Sequence, residues 1–216
     1  MRILCFGASL RRDSLNARLA SLAADVLRRA GADVDRADFA EFEMPIYDGD
    51  VDASPGPPPG AVELCMRVRQ AEALVLACPE YNYSIAGPLK NAIDWVSRFR
   101  PMPWRGKSVY LLAASPSPMG GIRGLWQTRV PFEACGALVF PDMFALAHAD
   151  KAFDAQGRIA DRALQARLER ELTGFLRLAE RIAPICDEDH VKRPTREQLQ
   201  IAAALEEESE VQPPSH

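Results

Sequence analysis

No stretch of this chain is long and apolar enough to cross a bilayer. Its longest uninterrupted apolar runs, such as Ala73 to Cys78 and Val109 to Ala114, fall far short of the roughly 20 residues a spanning helix needs. The first residues lack the apolar length and the small-residue cleavage site of a secretory signal, so the expected location is the cytoplasm. Basic charge is not in excess: 26 Lys and Arg against 30 Asp and Glu leave a net charge of -4. With no cationic stripe to neutralise phosphates, neither nucleic acid nor membrane is an expected partner. Cysteine is sparse and odd in number, at positions 5, 65, 78, 135 and 186, with no CxxC pair and mostly apolar neighbours. Cys5, Cys65, Cys78, Cys135 and Cys186 therefore read as reduced, largely buried small hydrophobes. His148, His190 and His216 stand apart from any cysteine cluster or HExxH spacing, so no metal site is expected. Neither a Walker A loop nor a GxGxxG fingerprint is present, which disfavours a nucleoside triphosphate or a Rossmann dinucleotide site.

What is present is an ordinary globular composition, 216 residues of which 48% are hydrophobic and 26% charged. A chain of this size buries roughly 70% of its unfolded surface and needs no disulfide or metal to complete a core. Arg2 to Gly7 is a short apolar run ending in glycine. It is followed by a polar loop and then by Leu15, Leu19, Leu22, Ala23, Val26, Leu27 and Ala30 at helical spacing, with Gly31 as the stop. Ala32 to Ala37 alternates as a half-buried strand. Asp38 to Gly60, rich in proline and turn formers, reads as a long surface loop. The pattern then repeats: helix at 61–69, fully apolar strand at 73–78, turn at 79–87, helix with Leu89, Ile93 and Val96 on one face. A third cycle places a strand at 108–114, a Ser/Pro/Gly loop at 115–121, a helix at 122–135 and a strand at 137–140.

Strands alternating with helices specify βαβ units, and right-handed crossovers then give a parallel sheet covered on both faces. The expected fold is α/β, doubly wound. A last helix over about 161–181 should pack on the flank of the sheet. Residues 1–186 form the expected domain, and 187–216 a charged extension with a capping box at Thr195 and Gln198 followed by a disordered tail.

Ligands of open α/β sheets bind beyond the carboxyl ends of the strands, which singles out three loops. The first, Gly7 to Asn16, crowds hydroxyl, guanidinium and amide groups around a helix start. That composition suits an anion held by backbone amides with help from Arg11, and equally a plain helix cap by Asp13 or Ser14 with the arginines in solvent. Having few glycines and several hydroxyls, it suits a terminal monophosphate better than a bridging pyrophosphate. The second, Pro79 to Trp95, offers two tyrosines, a proline and an asparagine, either a flat wall for a planar heteroaromatic ring or a polar turn. The third, Ser115 to Gly121, allows close backbone approach to a ligand and also fits an ordinary turn.

Together Gly7 to Asn16 and Pro79 to Trp95 resemble the NADPH-dependent FMN reductase family, with its quinone, chromate and azo-dye reductases of the flavodoxin-like superfamily. The family pattern runs GSLRxxSxN, then PEYNxSxPGxLKNAIDW. Met44 to Asp50, Gly120 with Gly121, and Leu146 to Gly157 extend the resemblance to about residue 184. It implies a flavodoxin-like sheet of five parallel strands in the order 2-1-3-4-5. It also implies that Ser9, Arg11, Ser14 and Asn16 hold the FMN phosphate, and that Pro79, Glu80, Tyr81, Asn82 and Tyr83 face the isoalloxazine, backbone more than side chain. Ser115, Gly120 and Gly121 would then close around its pyrimidine side. Ala8, Ala86, Pro118 and Met119 depart from the pattern and bear on the detail of these contacts.

The resemblance further implies an oxidoreductase that passes a hydride from NADPH or NADH through FMN to a quinone, free flavin or similar acceptor by a ping-pong mechanism. No catalytic side chain is assigned, because the cofactor carries the chemistry. Lys90, Asn91 and Asp94 are read as capping the helix and tying it to a loop. An electron carrier or redox sensor with little turnover is the alternative, and a phosphate hydrolase ranks below it for want of a nucleophile. Family members commonly form dimers or tetramers, which makes a homo-oligomer the expectation, with the Trp95, Phe99 and Trp104 region as an apolar interface.

Overall fold

Side chains on the long strands point alternately into two hydrophobic layers, the signature of a sheet covered on both faces. The computed structural model describes residues 1–188. β1 (Arg2–Gly7) leads to α1 (Leu15–Arg29) and β2 (Asp33–Arg36). A 3-10 turn (Phe39–Phe42), α2 (Gly49–Ala53) and α3 (Pro59–Gln70) precede β3 (Ala73–Ala77). A hairpin of β4 (Glu80–Tyr81) and β5 (Ser84–Ile85) opens onto α4 (Gly87–Val96), then β6 (Ser108–Ala114) and α5 (Ile122–Ala134). β7 (Leu138–Val139), β8 (Phe144–Leu146), α6 (Ala149–Ala152) and the long α7 (Arg162–Glu188) complete the described chain.

The main sheet is wholly parallel, β2-β1-β3-β6, with β7 and β8 both on the outer edge of β6. The expected five-position order is recovered, but the fifth position is shared. β7 pairs with Ser108 and Val109 and β8 with Leu112 to Ala114, so the single strand expected at 137–140 is broken. Pro141 lies in the gap, where a residue without an N–H ends the ladder.

Ile3, Cys5, Val75, Tyr110 and Leu112 pack against α1 and α7. Leu4, Phe6, Leu76, Val109 and Leu111 pack on the other face against α3, α4 and α5. The segment expected as a surface loop at 38–60 departs most from its sequence reading. Phe39 and Phe42 are buried and pack on Phe6, with ring centroids 5.6 and 5.8 Å away. Asp38 and Glu41 form a capping box around this turn, and Pro59 opens α3 at a position where no N–H is needed. Proline count misled here, because two aromatics three residues apart suffice to pin a turn-rich segment to a core.

Trp95 and Trp104 are buried within the chain, so they do not supply the exposed interface that their apolar character suggested. The helix expected at 161–181 is found and runs on to Glu188. The capping box at Thr195 and Gln198 lies outside the described residues. Among the described residues, no helix is long and apolar enough to cross a membrane.

Candidate functional site

The chain leaves β1 for β2 on one side of the sheet and places β3 on the other, so its winding reverses between β1 and β3. A crevice opens at the carboxyl ends of strands flanking such a reversal. Here Ser9, Arg11, Ser14 and Asn16 meet Pro79, Glu80, Tyr81 and Ser115 around a cavity of about 100 Å³, with Leu15, Ala114 and Pro116 completing its wall.

The first loop is set by close contact between β1 and α1. A Cβ at Gly7 would lie 2.6 Å from both the Ala17 nitrogen and the Asn16 carbonyl carbon, so the helix start sits over the strand end only because residue 7 is glycine. Ser14 is the N-cap, its Oγ accepting from the Ala17 amide at 3.2 Å. Capping and anion binding are not exclusive, since the cap uses the oxygen and leaves the hydroxyl hydrogen. Ser9 is buried and accepts only a long 3.4 Å bond from the Arg11 amide. Arg11 is exposed and enters no ion pair among the described residues. Asn16 bonds both ways to β6: its Oδ1 accepts from the Ala114 amide at 2.9 Å and its Nδ2 donates to the Ala114 carbonyl at 3.1 Å. One amide hydrogen of Asn16 remains for a ligand, and its main work is to fix the spacing of the first and third loops.

The second loop is a tight hairpin. Tyr81 pairs with Ser84, leaving Asn82 and Tyr83 as the two turn residues, both left-handed at φ 50° and 64°. Such turns favour Asn followed by Gly, so a tyrosine in the second place is held there by its surroundings. The Arg123 guanidinium lies 3.6 Å from the centroid of the Tyr83 ring. Its Nε and Nη2 donate to Glu80 Oε1 at 3.2 and 2.9 Å, while Glu80 Oε2 accepts from the Gly124 amide at 2.9 Å. Glu80 thus lines the cleft with its carboxylate turned away, 8% exposed and joined to the first turn of α5.

Gly124 makes this approach possible, since a Cβ there would stand 2.9 Å from that of Glu80, while a Cβ on Gly121 would stand 2.8 Å from that of Ala113 on β6. Gly120, also at positive φ, backs against the Ala145 to Ala147 backbone. Asn82, Tyr83, Gly120 and Gly121 therefore shape the walls from behind rather than line the cavity. In the third loop the Ser117 hydroxyl is buried with no hydrogen-bond partner among the described residues.

The remaining motif residues find partners within the chain. Lys90 pairs with Asp94 one turn along, at 2.6 Å. Asn91 accepts from the Tyr47 amide at 2.7 Å and donates to the Pro45 carbonyl at 2.8 Å, and the Trp95 indole donates to the same carbonyl at 2.8 Å. These bonds tie α4 to the 44–50 segment. Cys78, at the end of β3, is pushed far above the ordinary thiol range by burial and is inert.

Arg98 and Arg123 are both engaged within the chain. Arg98 donates to the Asp94 carbonyl and to Ser97, and Arg123 holds Glu80. Sequence reading missed Gly124 and the Ala114 backbone as parts of the site. The spacing Gly121-x-x-Gly124 on a helix start was the available signal for the first, while nothing local announced the second.

Hydroxyls, a guanidinium without a carboxylate partner and the amides of a helix start all offer hydrogens to one cleft, and the one carboxylate on its wall is already matched. That donor set fits a phosphate group. A comparison with family models matches residues 1–151 to the family described as NADPH-dependent FMN reductase. An NAD(P)H-dependent FMN reductase of Pseudomonas aeruginosa is 36% identical over 80% of this chain and 91% of its own length. A quinone reductase of Escherichia coli K12 is 34% identical over 65% of this chain and 76% of its own length. Among solved structures, the flavoenzyme FerB of Paracoccus denitrificans, an NAD(P)H:acceptor oxidoreductase, superposes with a TM-score of 0.71 at 26% identity, covering 83% of this chain and 97% of its own. Matched in sequence along most of its length and in overall fold, the chain belongs to the NADPH-dependent FMN reductase family and is flavodoxin-like in architecture.

Proposed function

We propose that this FMN-dependent NAD(P)H oxidoreductase delivers reducing equivalents to a quinone or similar small acceptor in two half-reactions at one cleft. When bound, FMN supplies the ring that takes a hydride from the nicotinamide and gives it up to the acceptor. The single observation that carries the reading is the convergence of uncommitted donors from the first loop with the hairpin and the third loop at the sheet's reversal point. Ser9, Ser14, Arg11 and the amides opening α1 hold the phosphate. Asn16 fixes the distance from that phosphate to the third loop through Ala114. The backbone of 79–81 and of 115–116 borders the ring, shaped from behind by 82–83 and 120–121, and leaves one face open to solvent. No acid-base pair is required of the chain, which agrees with the structural engagement of Lys90, Asn91 and Asp94.

One open face shared by donor and acceptor requires the first product to leave before the second substrate binds. Initial rates at varied NAD(P)H and fixed quinone concentrations should give parallel double-reciprocal lines. Lines that intersect would show both substrates bound together and contradict the two-step scheme.

The same reading includes a homo-oligomer, at least a dimer, acting in the cytoplasm. Two uncovered apolar regions support the assembly. Leu10 at 59% and Ile46 at 86% exposure flank a groove of about 840 Å³ beside the phosphate loop, and Trp126 at 54% and Val130 at 63% lie one turn apart on α5. Exposed apolar groups clustered in this way mark association surfaces more often than plain solvent-facing surface. They replace the buried Trp95 and Trp104 as the surfaces to test.

A further inference from the structure

We propose that Arg123 is a positioning residue for the ring-binding hairpin, locking the turn at Asn82 and Tyr83 so that the backbone of 79–83 is preformed for the isoalloxazine. This rests on the reading that the cleft holds FMN. One side chain on α5 grips the hairpin at both ends: it bonds Glu80 at the start of β4 through two nitrogens and stacks on Tyr83 at the tip. Neither grip is generic. Glu80 is almost fully buried, so its charge must be met locally, and the planar fork of Arg supplies two donors where lysine has one point charge. Tyr83 occupies a backbone region that a β-carbon disfavours, and its ring against the guanidinium offsets that cost.

Gly124 in the first turn of α5 removes the side chain that would hold the hairpin off, since a Cβ there would stand 2.9 Å from the Glu80 Cβ and 3.1 Å from the Ser84 carbonyl oxygen. Released from Arg123, the turn is free to leave its left-handed conformation, and the wall it presents to the ring is then disordered before binding. Ordering it on binding weakens affinity for the ring and leaves the phosphate cradle, built from a different loop, untouched.

The test separates ring from phosphate. Apo-protein is titrated by fluorescence quenching with FMN and with lumiflavin, which has the ring but no phosphate, and inorganic phosphate is used alone as a competitor of FMN. In Arg123→Lys, and in the charge-neutral pair Arg123→Met with Glu80→Gln, affinity for FMN and for lumiflavin should fall by the same factor, about tenfold or more. The inhibition constant of inorganic phosphate should be unchanged. The neutral pair leaves no buried charge, so it guards against simple misfolding, and thermal melts of each variant record its fold. Ring affinity within twofold of wild type in both folded variants would overturn the proposal, as would an equal loss for phosphate, which would mark a general destabilisation. If the unaltered protein binds neither FMN nor lumiflavin, the cofactor reading itself fails, and that result is distinct from either outcome in the variants.

Discussion

Asn16 shows how much one side chain can decide. Both of its polar atoms bond the Ala114 backbone, far away in sequence and at the end of the neighbouring layer of loops. Removing it strands a buried N–H and a buried carbonyl, each costing about 1–3 kcal/mol when left unpaired. Asn16→Ala should therefore lower unfolding free energy by about 2 kcal/mol or more by denaturant titration. Arg11→Ala should behave oppositely. Being exposed and unpaired, it should leave stability within about 0.5 kcal/mol of wild type, while FMN affinity falls about tenfold or more through loss of a charge-assisted phosphate contact.

The cysteines give a pH signature. Burial pushes Cys5 from its ordinary 9.0 up to about 12 and Cys65 up to about 11. The folded chain thus keeps protons that the unfolded chain releases, so this stabilisation is intact below about pH 9 and is lost as pH rises through about 11 to 12. Unfolding free energy should fall progressively above pH 9. At pH 8 a thiol reagent should leave Cys5, Cys65 and Cys78 unlabelled until the protein is denatured, and labelling of any of them in the native state would contradict their placement in the core.

At the scale of elements, the hairpin and α5 behave as one unit. Gly124→Ala places a Cβ 2.9 Å from that of Glu80 and 3.0 Å from its Cα, so the hairpin must move. The expected cost is about 1–3 kcal/mol of stability, with weaker FMN binding, although alanine is the better helix former; a more stable variant with native affinity would refute the packing described. This contact illustrates what the sequence could and could not disclose. The long central strands and helices were legible because their strand cores are continuous and their helices periodic, so 108–114 and the start of α4 fall where the pattern places them, whereas the broken edge at β7 and β8 and the short α2 and α6 carry no such pattern.

The phosphate loop was legible because its residues are contiguous. The fates of Phe39, Trp95 and Arg123 were not, since each is decided by a partner distant in sequence: Phe6 for the first, Pro45 for the second, Glu80 for the third. A carboxylate in a cofactor motif reads as a ligand until its counter-ion is found on another helix.

For the whole molecule, the proposed assembly would draw on the uncovered groove beside Leu10 and Ile46 and on the exposed pair on α5. Light scattering at micromolar concentration should give at least twice the chain mass of 23.8 kDa. Replacing Trp126 and Val130 by polar residues should reduce the assembly without unfolding the chain. A monomer at that concentration would remove the oligomer from the functional reading.

The most direct measurement is a visible absorption titration of purified protein with FMN, followed by anaerobic addition of NADPH and, separately, NADH. Saturable binding at one FMN per chain, with full bleaching of the flavin bands by at least one of the two nicotinamides, is the expected result. Binding without bleaching by either would contradict the reductase function while preserving the cleft, and failure of FMN to bind would contradict the assignment of the phosphate loop itself.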